Sequence, residues 1–236
     1  MGIVNATPDS FHRRHPDPGA AIAHAHRLIA DGADIIDLGG ESTRPGAAPV
    51  PEDDELARVI PVLRGLRDAK VPISIDTYKP GVMRAALDAG AAIVNDVTAL
   101  RAPGAIELVA SRGASAVLVH MQGEPATMNV APRYDDVTRE VFEFLSERVA
   151  ACLAAGIARA NLAVDPGIGF GKTKAHSRAL LDGLDTFGRL GCAVLIGISG
   201  KLPNHVAEAV AAAAKGAQIL RVHDVAATRT ALAGRV

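Results

Sequence analysis

The chain has 236 residues, 49% of them hydrophobic, but only 3% aromatic and none of them tryptophan. One large core is therefore available, and it must be built from Ala, Val, Leu and Ile rather than from rings. A net charge of −1 argues against bulk affinity for nucleic acid; no apolar run is long enough to span a bilayer, and Met1 opens no signal-peptide pattern. Cys152 and Cys192 lie far apart with no metal-ligand spacing, as expected of two reduced thiols in a cytoplasmic enzyme.

In chain order, short apolar runs alternate with longer amphipathic ones. Strands are predicted over residues 2–5, 35–38, 73–76, 93–96, 116–120, 162–165, 194–198 and 219–223. Helices are predicted at about 20–30, 52–68, 81–88, 104–111, 135–155, 176–189 and 206–215, with a short last one over 226–232. No long linker or composition break interrupts the alternation, so residues 1–236 read as one domain. A small repeat supports this: Asp31-Gly-Ala-Asp-Ile, Ala89-Gly-Ala-Ala-Ile, Arg112-Gly-Ala-Ser-Ala and Lys215-Gly-Ala-Gln-Ile each end a helix on glycine and begin a strand at once. Eight such units fit an α/β (β/α)₈ TIM barrel. The rival, an open doubly wound sheet, usually carries one glycine-rich phosphate loop near its first strand, and here the polar residues are spread over nearly all the strand ends.

Those ends read Asn5, Asp37, Asp76, Asn95 with Asp96, His120, Asp165, Ser199, and Arg221 with His223. A single Asp or Asn there is a turn former. Eight in register on one barrel rim are expected to build a site. After the second strand, Asp37-Leu-Gly-Gly-Glu-Ser-Thr-Arg-Pro-Gly-Ala47 combines glycines for close backbone approach, the hydroxyls of Ser42 and Thr43, and the guanidinium of Arg44, a mixture suited to an anionic ligand; an ordinary strand-to-helix loop is the other reading. Read alone, Asn5 caps a Thr-Pro turn, but its carbonyl oxygen also suits a hard cation such as Mg²⁺. Asp76 sits either at the rim or as a helix cap before Pro80, and the Asn95–Asp96 pair is suited to the donor–acceptor edge of a heterocycle. Asp165-Pro-Gly-Ile-Gly-Phe-Gly-Lys-Thr173 fails as a P-loop because Pro166 stands where its first glycine is needed; a glycine-rich loop remains, with Phe170 as a stacking face and Lys172 as either a ligand or a solvated charge. Arg221 and His223, spaced by two, would share a strand face and clamp a phosphate, although a lone His is more often a core residue. His12, His15, His24, His26, His176 and His205 show no ligand spacing and read as surface.

Taken together, Met1-Gly-Ile-Val-Asn-Ala-Thr-Pro-Asp-Ser-Phe11, residues 37–47, Ile75-Asp-Thr-Tyr-Lys-Pro80, His120-Met-Gln-Gly123 with residues 165–172, and Arg221-Val-His-Asp-Val225 resemble the dihydropteroate synthase family, in order and through essentially the whole chain. The resemblance implies a (β/α)₈ barrel that condenses 6-hydroxymethyl-7,8-dihydropterin pyrophosphate with 4-aminobenzoate, giving dihydropteroate and pyrophosphate in folate synthesis, with sulfonamides imitating 4-aminobenzoate. It implies pterin contacts at Asp76, Asn95, Met121, Asp165, Phe170, Gly197 and Lys201. Asn5, Thr43, Arg44, Arg221 and His223 are implied for pyrophosphate, with Mg²⁺ on Asn5; Thr43, Pro45 and Ser199 are implied for 4-aminobenzoate. Asp76, Lys201 and Asp37 are the groups implied at the reacting centre. A homodimer is also implied.

Four features depart from the family pattern. The chain begins inside a truncated first strand, so that strand is expected to be poorly anchored. The loop after Phe11 reads His-Arg-Arg-His-Pro-Asp-Pro in place of Ser-Asp-Gly-Gly. Gly200 stands where an Arg is usual. The segment over residues 202–206 is short, so a gap in the helical ring is expected after strand seven, either exposing apolar strand surface or covered by a partner chain. Two further readings follow from these departures: a homologue that binds pterin without condensing it, and a barrel that passes a folate methyl group to a corrinoid. His120-Met-Gln-Gly123 and Ser-Thr-Arg-Pro count against the second.

Overall fold

The computed structural model describes residues 1–7, 17–42, 48–124, 127–128, 130–198 and 204–234. Eight parallel strands run in sequence order around one sheet: β1 (Gly2–Asn5), β2 (Ile36–Gly39), β3 (Ile73–Asp76), β4 (Ile93–Asp96), β5 (Ser115–Val119), β6 (Leu162–Asp165), β7 (Ala193–Gly197) and β8 (Ile219–Arg221). The sheet closes on itself. Gly2 bridges Val222 in parallel, the Ile3 amide donates to the Val222 carbonyl at 3.1 Å, and the Val222 amide to that of Met1 at 3.0 Å. The first strand is therefore held on both edges, against the expectation of poor anchoring.

The helices are α1 (Pro18–Ala30), α2 (Glu52–Gly65), α3 (Pro80–Asp88), α4 (Ala105–Ser111), α5 (Val137–Ala154), α6 (Lys174–Asp182), α7 (Asp185–Gly188), α8 (His205–Ala214) and α9 (Val225–Ala233), with a 3₁₀ turn at Arg159–Asn161 before β6. The single helix expected over 176–189 is broken into α6 and α7 at Gly183, whose amide closes α6 on the Ala179 carbonyl. The Gly-Ala repeat is a recurring helix stop. Gly32, Gly90, Gly113 and Gly216 all have positive φ. In each case the following alanine donates back five residues, as from Ala33 to Leu28 at 2.8 Å and from Ala217 to Ala212 at 3.0 Å. Gly156 makes a fifth copy, with Ile157 donating to Cys152, which the repeat did not reveal because Ile replaces Ala.

Strand side chains alternate between two cores. Val4, Ile36, Leu38, Ile75, Val94, Leu118, Val164 and Ile196 face outward and pack under the helices. Val117, Val119, Ala163 and Leu195, with Ile35, Ile93 and Ile219, fill the barrel itself. The expected gap after β7 does not bare the sheet: Val194, Ile196 and Val222 are buried, α8 packs on α9, and Val130 is the exposed large apolar side chain among the described residues. Ten residues of α8 suffice because its alanine-rich face, with Ala209 and Ala212 buried, lets it lie close to the strands.

Candidate active site

The inward positions at the carboxyl ends of the strands carry the polar residues. Asp37, Asp76, Asn95 and Asp165 are all buried there. Asp76 and Asn95 are register partners, as are Gly197 and Arg221. Arg221 reaches across the mouth: its Nε donates to Asp37 Oδ2 at 2.6 Å and an Nη to Asp76 Oδ2 at 2.7 Å. Asn95 donates to Asp37 at 3.1 Å. Glycines at inward positions keep the mouth open. A methyl group on Gly39 would lie 3.5 Å from the Asp76 Cβ, and one on Gly197 would lie 4.0 Å from Asp165 Oδ2.

The cluster is rich in acceptors that the described residues leave unused. Asp37 Oδ1, Asp76 Oδ1 and Asn95 Oδ1 are buried without a hydrogen-bond partner among the described residues. Buried orphans of this kind are costly, so they point to a ligand bearing N–H groups. Burial pushes Asp76 up to about 7, with Arg221 pulling it down and Asp37 pushing it up further. Burial likewise lifts Asp165 to about 6, against the Gly167 amide and Lys172, which favour its charge. Burial works against the charge on Arg221, but Asp37 and Asp76 hold it above its ordinary value.

Several expectations are redrawn by strand geometry. Asn95 and Asp96 do not read a ligand side by side, because successive residues face opposite ways. Asp96 accepts from the Thr98 amide at 2.7 Å and the Leu100 amide at 2.9 Å, holding a turn in which Ala99 and Leu100 both have positive φ. Arg148 of α5 completes the clamp by donating to the carbonyls of Ala99 and Leu100. His120 also leaves the rim: β5 ends at Val119, and the His120 ring meets Phe144 of α5 edge-on at 4.9 Å. Lys172 is no solvated charge, being 6% exposed with its ammonium on His120. β8 ends at Arg221, so the strand face that His223 was to share with it stops short. His223 is exposed and lines a groove with His24, Arg27, Asp31 and His205. His24 and His205 are half-buried rather than surface residues, as is His176, which completes a capping box with Thr173.

Met121 and Phe170 meet in a small apolar cluster with Val97, Met128 and Tyr78 beside the mouth. Asn5, half-buried, follows the outward-facing Val4 and so faces inward. Thr43, Arg44, Pro45, Ser199 and Lys201 lie outside the described residues, as do Gly200 and the loop after Phe11.

One group escaped the sequence reading. The Lys79 ammonium sits between Glu41 and Glu55, and Tyr78 Oη donates to Glu41 at 2.9 Å. Together with Arg58, which donates to the Gly40 carbonyl at 2.8 Å, they bolt the root of the loop after β2 to α2 and to the start of α3. A signal was present: Glu55 lies on the buried stripe of α2 with Val59, Val62 and Leu63, where a carboxylate demands a partner. A separate cavity of about 510 Å³ lies at the opposite end of the barrel, against Met1, Asp34, Gln218 and α9. Its two charged side chains, Arg229 and Asp34, pair with each other at 3.2 Å.

Residues 1–223 match the family model described as "Pterin binding enzyme". The chain is 46% identical over 249 residues to the dihydropteroate synthase of Escherichia coli (strain K12), covering 98% of this chain and 88% of that one. It superposes with a TM-score of 0.89 on the Xanthomonas albilineans dihydropteroate synthase in complex with 7,8-dihydropteroate, at 45% identity, covering 100% of this chain and 91% of that one. On the Yersinia pestis dihydropteroate synthase in a sulfonamide drug complex the TM-score is 0.93 at 43% identity, covering 99% and 91%. The acceptor-rich barrel mouth and the likeness across the whole chain agree: the chain belongs to the pterin-binding enzyme family, among the dihydropteroate synthases.

Proposed function

We infer that the whole chain acts as one domain that condenses 6-hydroxymethyl-7,8-dihydropterin pyrophosphate with 4-aminobenzoate to give dihydropteroate and pyrophosphate. The observation that carries the reading is the set of orphaned oxygens on Asp37, Asp76 and Asn95 around the Arg221 guanidinium. A pterin brings amine and amide N–H groups, which match unpaired acceptors. Its flat ring fits beside Met121 and Phe170, in the space kept by the side-chain-free Gly39 and Gly197. Asp165 and Lys201 complete the pterin contacts in this reading.

The reaction breaks the bond between the pterin methylene carbon and the pyrophosphate oxygen, and the electron pair leaves with pyrophosphate. Positive charge then develops on the pterin, and the carboxylate of Asp76 faces it, with Asp37 behind. This is charge stabilisation that grows toward the transition state. The 4-aminobenzoate amine, held by Thr43, Pro45 and Ser199, attacks the methylene carbon, forms the C–N bond and releases a proton. Arg221, Arg44 and Thr43 receive the pyrophosphate, and Arg221 leaves its two carboxylates for the incoming anion. Neither cysteine is needed as a nucleophile; both are buried free thiols.

Among the described residues, no group of three or more His, Cys, Asp or Glu side chains is placed to cage a metal. One inward amide oxygen, on Asn5, fits the way Mg²⁺ is held chiefly by substrate phosphates and water. When bound there, Mg²⁺ would neutralise charge on the pyrophosphate. The same reading extends to a cytoplasmic location, supported by the free thiols, and to a homodimer, which light scattering on the purified chain tests. No described helix is long and apolar enough to cross a membrane.

Incubation of the purified chain with Mg²⁺, dihydropterin pyrophosphate and 4-aminobenzoate should yield dihydropteroate and pyrophosphate in equal amounts, followed by mass spectrometry. Pterin binding in calorimetry without any product would overturn condensation and leave a binding protein.

A further inference from the structure

The loops after β5 and β6 approach each other more closely than side chains allow. A methyl group on Gly167 would lie 1.9 Å from the His120 carbonyl oxygen, and one on Gly171 would lie 2.4 Å from that of Gln122; both glycines have positive φ. The main chains are joined where the loops begin, the His120 amide donating to the Asp165 carbonyl at 2.9 Å. Tyr134 Oη ties the far side by donating to the Gly171 carbonyl at 2.9 Å.

Lys172 lies within this seam. Its Nζ is 2.9 Å from His120 Nδ1, 3.2 Å from the His120 carbonyl oxygen and 2.9 Å from the Phe170 carbonyl oxygen. The ammonium has three donors, and these are three acceptors. None of the three carries a charge, so the arrangement is no ion pair. A buried cation held by neutral acceptors is expensive, and an apolar side chain of the same length would fill the space at less cost. Burial accordingly drives Lys172 down to about 7 and His120 down to about 3. What the lysine does that a methionine would not, beside favouring the charge of Asp165 without forming an ion pair to it, is fix two backbone points, His120 and Phe170. One immediately precedes Met121, and the other carries the ring that packs with it.

We propose that Lys172 is a positioning residue for the pterin slot: by pinning His120 to the Phe170 carbonyl it sets the spacing between Met121 and Phe170, the apolar wall against which the ring lies. The inference rests on the pterin reading of the barrel mouth. It assigns Lys172 no contact with substrate and no proton transfer. His120 is its partner: the neutral ring presents Nδ1 as the acceptor, and Phe144 stands against the ring edge-on.

The test uses the full chain and both substrates. Lys172→Met should raise the KM for dihydropterin pyrophosphate about tenfold, the order expected when buried acceptors lose their donor, with the KM for 4-aminobenzoate and kcat changed less than about twofold. His120→Phe keeps the packing on Phe144, removes one acceptor and should give a smaller rise, about threefold. The double variant should be no worse than Lys172→Met alone, since both changes break one link. Equal pterin KM in the wild type and Lys172→Met would overturn the proposal, as would a parallel rise in both KM values or additive losses in the double variant. A wild-type chain that binds no pterin in calorimetry would remove the functional reading and the pin with it; a wild type that binds and a Lys172→Met variant that binds equally would remove the pin alone.

Discussion

Asn95 and Asp96 are neighbours at the end of β4, and they belong to different parts of the molecule. Asn95 faces the barrel interior, shares Asp37 with Arg221, and has an amide oxygen with no partner among the described residues. Asp96 faces the helices, and both its oxygens are occupied by Thr98 and Leu100. The same split separates the inward Asp37 and Asp76, each with an orphaned oxygen, from the outward His120, whose ring is engaged with Lys172 and Phe144. Among the described residues, Asp37, Asp76 and Asn95 at the mouth are buried and incomplete, whereas Asp96 and His120 on the helix side are buried and satisfied; Glu55 of α2 is the exception outside the mouth, with one oxygen unpaired. In the proposed reading, a cluster of unmet hydrogen-bonding capacity at the mouth, rather than polarity or burial alone, marks the side that meets a ligand.

The sharpest way to break this comparison is Asp76→Asn. It keeps the shape of the side chain and removes the charge facing the developing cation, so turnover should fall by roughly a hundredfold or more while the thermal melt is kept. Near-normal turnover would take Asp76 out of the chemistry. The converse variant, Asp96→Ala, should leave both KM values within about twofold and cost about 2 kcal/mol in a urea melt, because buried amides lose their acceptor and the left-handed Ala99–Leu100 turn loses its clamp. A selective change in KM with no loss of stability would put Asp96 on the wrong side of the division.

Smaller effects sharpen it. Arg221→Ala should weaken pyrophosphate binding about tenfold more than binding of a pterin that lacks phosphate, read by calorimetry. Equal losses would make Arg221 a structural counterion for Asp37 and Asp76. The pH dependence gives a further check. Asp76 titrates at about 7 in the folded chain because burial disfavours its charge, and it returns to the ordinary carboxylate range on unfolding. Between those values the folded state holds a proton that the unfolded state has released, so this residue's contribution to stability falls as pH rises from about 4 to 7. Asp76→Asn should flatten that part of the stability curve. The ionised form is the one that faces the cation, so kcat/KM should rise over the same range and level off above about 7, and Asp76→Asn should lose that limb.

Much of the fold could be read along the chain, because strands buried on both faces and helices with one apolar stripe leave local signatures, and each Gly-Ala pair marks where one passes into the other. Strands β1, β3, β4 and β6 have the predicted bounds. Shifts of one or two residues have large consequences: β5 ends at Val119 rather than residue 120, which takes His120 off the rim, and β8 ends at Arg221 rather than residue 223, which leaves His223 off the strand. The inward set of Asp37, Asp76, Asn95, Asp165 and Arg221 was visible as polar residues closing apolar runs. The brace of Glu41, Glu55 and Lys79 was signalled only by the buried Glu55, because its members come from the loop after β2, from α2 and from the loop after β3, whose approach only the barrel arranges.

The sequence by itself determined the eightfold alternation, the helix stops and the family, since these depend on periodicity, glycine conformation and contiguous motifs. Which face each polar residue took was decided only by the tertiary structure. Side chains reverse with every residue of a strand, so the phase that the closed sheet imposes separates Asn95 from Asp96 and turns His120 away from the mouth. Lys172 makes the same point from a loop. Nothing local to it distinguishes a solvated lysine from a buried one; it is buried because two glycine-bearing loops, some fifty residues apart in the chain, close over it.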